Sequence, residues 1–161
     1  MSKRFALVSG LAVIGALTFG SAFAQASKSP AEATYADIQQ TLGIVPGFFK
    51  EFPEVGIGGA WAEFKMLQLN PNTQLSGKMK ELIGLAVAAQ IPCQYCVYFH
   101  TAAAKANGAT EEEIRETVGM AAIVRHWSTV LNGTQFDLNR FRQETDTVLR
   151  LAAEKTKAAS K

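Results

Sequence analysis

The chain has 161 residues, 48% hydrophobic and 19% charged, with 16 Lys and Arg against 14 Asp and Glu. Lys3 and Arg4 account for the basic excess, so the remainder is neutral and offers no basic face for nucleic acid or an anionic membrane. The two cysteines, Cys93 and Cys96, cannot make the multi-bridge framework of a small secreted scaffold.

Lys3 and Arg4 precede an uncharged apolar run from Phe5 to Gly20, and Ala22-Phe23-Ala24 then supplies an A-x-A cleavage site. The run is short for a spanning helix and no cysteine follows it to carry a lipid. Residues 1–24 are therefore expected to be a signal peptide cleaved near Ala24/Gln25. That leaves 25–161 as one domain, periplasmic or secreted.

After a small, polar leader from Gln25 to Pro30, Ala31 to Leu42 carries Tyr35, Ile38 and Leu42 at helical spacing, and Gly43 ends the helix. Val45-Pro46-Gly47 turns the chain into Phe48, Phe49 and Phe52, which read as core aromatics. Pro53 opens a helix running to about Leu69, with Trp61, Phe64 and Leu67 or Gln68 on its inner face. Gly56, Gly58 and Gly59 have neither a preceding strand nor a following Lys-Ser/Thr, so close helix packing explains them better than a phosphate loop.

Asn70-Pro71-Asn72 breaks the chain, and Ser76 caps a helix from Gly77 to about Ala89. That helix is apolar all round from Leu82 to Ala89, as a central core helix or a subunit interface would be. Ile91-Pro92 interrupts it, and a further helix from Pro92 to about Asn107 closes at Gly108. Thr110-Glu111-Glu112-Glu113 is a capping box opening a helix to about Leu131. Asn132-Gly133 ends that helix, and a last amphipathic one runs from about Thr134 to Ala153 before a fraying tail. Strand patterns are almost absent, so the expected fold is an all-α compact bundle of about six helices.

The chemistry concentrates between Glu81 and His100. With a helix from Pro92, Cys93, Cys96 and His100 fall at i, i+3 and i+7 on one face, near a helix N-terminus that favours thiolate over thiol. A bridge between Cys93 and Cys96 closes too small a loop to restrain the unfolded chain much, which favours a redox dithiol over a structural disulfide. Glu81 is the only acid between Lys80 and Glu111, and an acid on an apolar helix suits proton exchange; otherwise it is a surface neighbour of Lys78 and Lys80. His100, one turn beyond Cys96, can relay a proton. Two Cys, one His and one Glu could also ligate zinc, but a second CxxC is missing, and no metal or cofactor is expected. His126 reads as a packed or hydrogen-bonded helical residue, with pocket lining as its other role.

The spacing Glu81-x11-Cys93-x2-Cys96-x3-His100 resembles the motif of alkylhydroperoxidase D-like (AhpD-like) proteins of the carboxymuconolactone decarboxylase family. The resemblance covers about residues 42–133, including Gly43-Ile44-Val45-Pro46 and the connection Asn107 to Ile114. It implies an AhpD-like helical fold, commonly a trimer or a multiple of one. It implies Cys96 as attacking thiol, Cys93 as resolving thiol, Glu81 as base through a water, and His100 in the relay. The implied reaction reduces a hydroperoxide or a peroxiredoxin's disulfide with electrons from a dithiol such as a lipoyl group. Tyr95 stands where family members often carry a second histidine, and export separates the chain from a cytoplasmic lipoyl donor. A lactone decarboxylase, which needs no CxxC, and a non-catalytic helical assembly module with an inert disulfide are the other readings.

Overall fold

In the computed structural model, residues 29–160 are described, and the signal peptide expected at 1–24 lies outside them. The described residues form six α-helices and no strand. They fall into two compact units that divide between Gly58 and Gly59. None of their helices is long and apolar enough to cross a membrane.

In the first unit, α1 (Pro30–Leu42) starts in a capping box. The Ser29 hydroxyl accepts from the Glu32 N–H at 3.1 Å, and the Ser29 N–H donates to Glu32 Oε2 at 2.7 Å. Gly43, left-handed at φ 82°, closes the helix as expected. A 3-10 turn, Gly47–Lys50, follows. Of the three phenylalanines read as core, only Phe49 is buried; Phe48 and Phe52 are exposed. Gly56 makes room for Phe52, since a Cβ there would lie 2.8 Å from the Phe52 ring. That is a local contact with the preceding turn, not the close helix–helix packing expected of this glycine.

Helix α2 (Glu54–Glu63) crosses the division between the units, and a π-helical turn, Phe64–Leu69, continues it. The single helix expected to Leu69 therefore changes pitch halfway. The second unit is built on α3 (Gly77–Gln90), which packs against α4 (Gln94–Ala106), α5 (Glu111–Gly133) and the π turn. Leu85 and Ala88 are buried on α3 while Ile83 and Val87 are about half exposed, so the apolar helix is central on one side and open on the other.

The caps explain the boundaries. Ser76 accepts from the Met79 N–H at 3.2 Å, and Thr110 and Glu113 form the expected box at the start of α5. Two expected starts are corrected. Pro92 lies in the turn before α4, because Cys93 itself takes the N-cap position in extended geometry. Helix α6 (Leu138–Ala159) begins four residues later than Thr134, where Asp137 accepts from the Arg140 N–H at 2.7 Å, and it continues past Ala153.

Two ion pairs tie the start of α5 to its neighbours: Lys78 to Glu113 at 2.7 Å from α3, and Lys105 to Glu111 at 2.6 Å from α4. The Lys78 ammonium, helped by the Thr110 N–H, holds the Glu113 carboxyl below its ordinary 4.5, and Lys105 does the same to Glu111. A depressed carboxyl stabilises the fold above the unfolded value and loses that contribution as pH falls through the folded one. Thermal unfolding should therefore show a small, salt-sensitive loss of stability below pH 4.5 that Lys78→Gln reduces. An acid response identical in Lys78→Gln would show that the pair has no such effect.

Candidate functional site

Pro92 separates α3 from α4, and the two helices lie side by side. Glu81 on α3 is 5% exposed, the one buried charged residue among those described. His100 on α4 faces it, with Nδ1 2.7 Å from Glu81 Oε2 and its side chain 19% exposed. The sequence separation of nineteen residues is thus closed by the fold. Lys78 and Lys80, the neighbours that could have made Glu81 a surface residue, turn elsewhere: Lys78 to Glu113, and Lys80 to the Asn70 carbonyl at 2.7 Å.

Gly84, one turn after Glu81, makes this approach possible. A Cβ there would collide with the His100 ring, meeting Cγ at 2.8 Å. The same ring is steadied by an edge contact to Phe99 at 5.2 Å, and a chain of rings continues through Phe64 to buried Trp61.

Cys93 and Cys96 are joined as a disulfide, with Cα atoms 5.3 Å apart. Cys93 Sγ also accepts from the Cys96 N–H at 3.2 Å, so the sulfur performs the capping usually done by an oxygen. Both sulfurs therefore sit in the first turn of α4, where unpaired N–H groups and the helix dipole favour negative charge. Reduction would release thiols into a setting that stabilises thiolate. Tyr95, between the cysteines, is 89% exposed. Among the described residues no group of three or more His, Cys, Asp or Glu is placed to hold a metal ion.

Cys93 opens onto an apolar groove of about 660 Å³ that follows α4 past Val97 and Tyr98 to Lys105. His100 lines a different cavity, about 500 Å³, with Gln68, Leu75, Ile83 and Gly84. His126 packs edge-on against Trp127 and borders a third hollow, about 610 Å³, with Arg125, Gln90 and Pro92, which none of Glu81, Cys93, Cys96 and His100 lines. Arg125 donates to the Gln90 side-chain oxygen at 2.7 Å and to its carbonyl at 2.9 Å, clamping the end of α3 just before the CxxC.

Two residues missing from the sequence reading of the site are Gly84 and Gln68. Gln68 Nε2 donates to both carboxylate oxygens of Glu81, at 3.2 and 3.4 Å. Its position on an inner helix face was a sequence signal, but its partner depends on the π turn.

Comparison with known proteins gives a consistent picture. Residues 57–136 match the carboxymuconolactone decarboxylase family. A crystal structure of the alkylhydroperoxidase AhpD core from Rhodospirillum rubrum superposes with a TM-score of 0.59. That match covers 67% of this chain and 82% of the other at 24% identity, and shows an AhpD-like fold. A stretch of 51 residues is 39% identical to uncharacterized protein 4 in the cox locus of Paracoccus denitrificans. It covers 32% of this chain and 46% of that relative's length.

Proposed function

Given that this chain belongs to the carboxymuconolactone decarboxylase family and has an AhpD-like fold, we propose that it is a thiol–disulfide oxidoreductase of the alkylhydroperoxidase type. The family and fold support alkylhydroperoxidase-type activity in general. The observation that carries the specific reading is the pairing of a buried Glu81 with His100 on the two helices that flank a CxxC disulfide.

In the proposed cycle the reduced Cys96 thiolate attacks the terminal oxygen of a hydroperoxide. The O–O bond breaks, the alcohol leaves with one proton delivered by the Glu81–His100 pair, and Cys96 becomes a sulfenic acid. The Cys93 thiol attacks that sulfur, water departs, and the disulfide forms. A dithiol donor then attacks the disulfide, forms a mixed disulfide, and closes on itself, returning both cysteines to thiols. One hydroperoxide is reduced to alcohol and water for each dithiol oxidised. A protein disulfide replaces the hydroperoxide in the variant reaction, with electrons flowing from the Cys93/Cys96 thiols.

Replacing Cys96 with Ser should reduce dithiol-dependent turnover of tert-butyl hydroperoxide to the uncatalysed background. Replacing Cys93 with Ser should instead leave Cys96 oxidised and unresolved. Turnover that survives Cys96→Ser contradicts the assignment. The decarboxylase reading has no use for a dithiol, and a thiol-blocking reagent separates it, since a decarboxylase would be unaffected.

We place the protein in the periplasm or secreted medium on the strength of the N-terminal pattern alone; an exported form whose first residue is Gln25 is the expected result of N-terminal sequencing. We also propose a homo-oligomer, a trimer or a multiple of one. Met120, Ile123, Val124 and Trp127 on α5, and Leu138, Val148 and Leu149 on α6, are exposed apolar groups that such an assembly would cover. Light scattering of the exported form that returns the mass of a single chain would contradict it.

A further inference from the structure

Glu81 is buried, and a buried carboxylate needs donors to hold its charge. The groups that face it are few. From α4 comes His100, with Nδ1 2.7 Å away. From the π turn comes Gln68, whose amide reaches both oxygens at 3.2 and 3.4 Å. The ammonium groups on its own helix are spent on Glu113 and on the Asn70 carbonyl. On the α5 side of α3, Glu113 and Glu116 border a separate hollow with Met79, Leu82 and Ile83.

His100 meets Glu81 through a single 2.7 Å contact, so holding the carboxylate and relaying a proton draw on the same ring nitrogen. Gln68 is different. Its N–H does not titrate, so it donates to Glu81 at every stage of a proton transfer. Its approach comes from the one stretch where the helix widens from α to π pitch, Phe64–Leu69, beside α3. Such departures from α geometry recur at functional sites because they re-aim one side chain.

We propose that Gln68 is a positioning residue of the redox site: its amide fixes the Glu81 carboxylate toward His100 and holds the pair in the arrangement that exchanges a proton with the CxxC. The inference rests on the reading of Glu81 as the base that serves the cysteines. It assigns the π turn a purpose in that chemistry, and it adds a non-titrating member to the Glu81–His100 pair.

The test is the pH–rate profile of dithiothreitol-dependent peroxide reduction by the full chain, compared among the unsubstituted protein, Glu81→Gln, Gln68→Met and Gln68→Glu. Gln68→Met keeps the bulk and removes the donor, so the carboxylate loses one of its two side-chain partners and the acid limb of the rate profile should move to higher pH. Gln68→Glu puts a like charge against Glu81 and should move that limb further in the same direction. An acid limb that is absent in Glu81→Gln but unmoved in both Gln68 variants overturns this inference alone. A uniform drop in rate at every pH, with no shift, likewise reduces Gln68 to a packing residue. An acid limb that persists unchanged in Glu81→Gln overturns the underlying reading of Glu81. Circular dichroism of each variant, matched to the unsubstituted protein, keeps a folding defect from imitating any of these results.

Discussion

Substituting Gly84 with alanine should cost both stability and turnover, although helix propensity alone predicts the opposite sign. In an unconstrained helix interior, glycine to alanine is favourable by about 1 kcal/mol. Here the added methyl would enter the space of the His100 ring, which lies 2.8 Å away at Cγ. The ring must swing out, and the contact between Nδ1 and Glu81 Oε2 is lost. Glu81 would then be left with the Gln68 amide as its remaining side-chain partner. Removing one partner of a buried, hydrogen-bonded charge costs about 1–3 kcal/mol, which outweighs the propensity gain. Losing the relay should also lower turnover by roughly 10²–10⁴-fold. Thermal unfolding and peroxide turnover check the two effects on one preparation. A variant more stable than the parent and equally active would show that His100 has another seat and that the close approach is not required.

The second large effect is that of Glu81→Gln. The amide has the shape of the carboxyl and can still meet Gln68 and His100, so the fold should survive with a change of about 1 kcal/mol or less. Turnover should fall by roughly 10²–10⁴-fold, because an amide cannot accept and return a proton. Glu81→Leu makes a useful contrast. It leaves the Gln68 amide and the His100 ring without their shared acceptor, and should be the less stable of the two. If Glu81→Gln retains full turnover, the buried carboxyl is a packing feature and the proton route lies elsewhere.

Much of this architecture is legible in the residues because it depends on local rules. Gly43, Ser76 and the box from Thr110 to Glu113 mark helix ends by their own hydrogen bonds, and they mark them correctly. The Ser29/Glu32 box was equally visible in principle, since it has the same S/T-x-x-E form. Cys96 and His100 are related by helical spacing on α4, with Cys93 capping it just outside, and the neighbourhood of Glu81 needs only the turn at Pro92 to bring α3 and α4 together.

Less local features could not be read in this way. The switch from α to π pitch after Glu63 has no motif, yet it decides that Gln68 meets Glu81. Gly84 looks like any glycine in an apolar helix until the position of His100 is known. A proline is well suited to a first helical turn, which is why the sequence points to a start of α4 at Pro92. Cys93, however, can cap through sulfur, and that moved the boundary two residues along. The bulk of Phe48 and Phe52 suggests a core, but it says how much area a ring can bury and not whether the chain covers it, and both are exposed.

The central claim is that Cys93 and Cys96 form a working redox couple rather than a fixed bridge. The most direct measurement is equilibration of the purified protein in thiol–disulfide buffers of graded potential, with the fraction of free thiol read at each step. The account predicts complete, reversible cycling at potentials near those of known dithiol oxidoreductases, about −120 to −270 mV. A bridge that stays closed well below about −300 mV, the range of structural disulfides, would contradict it.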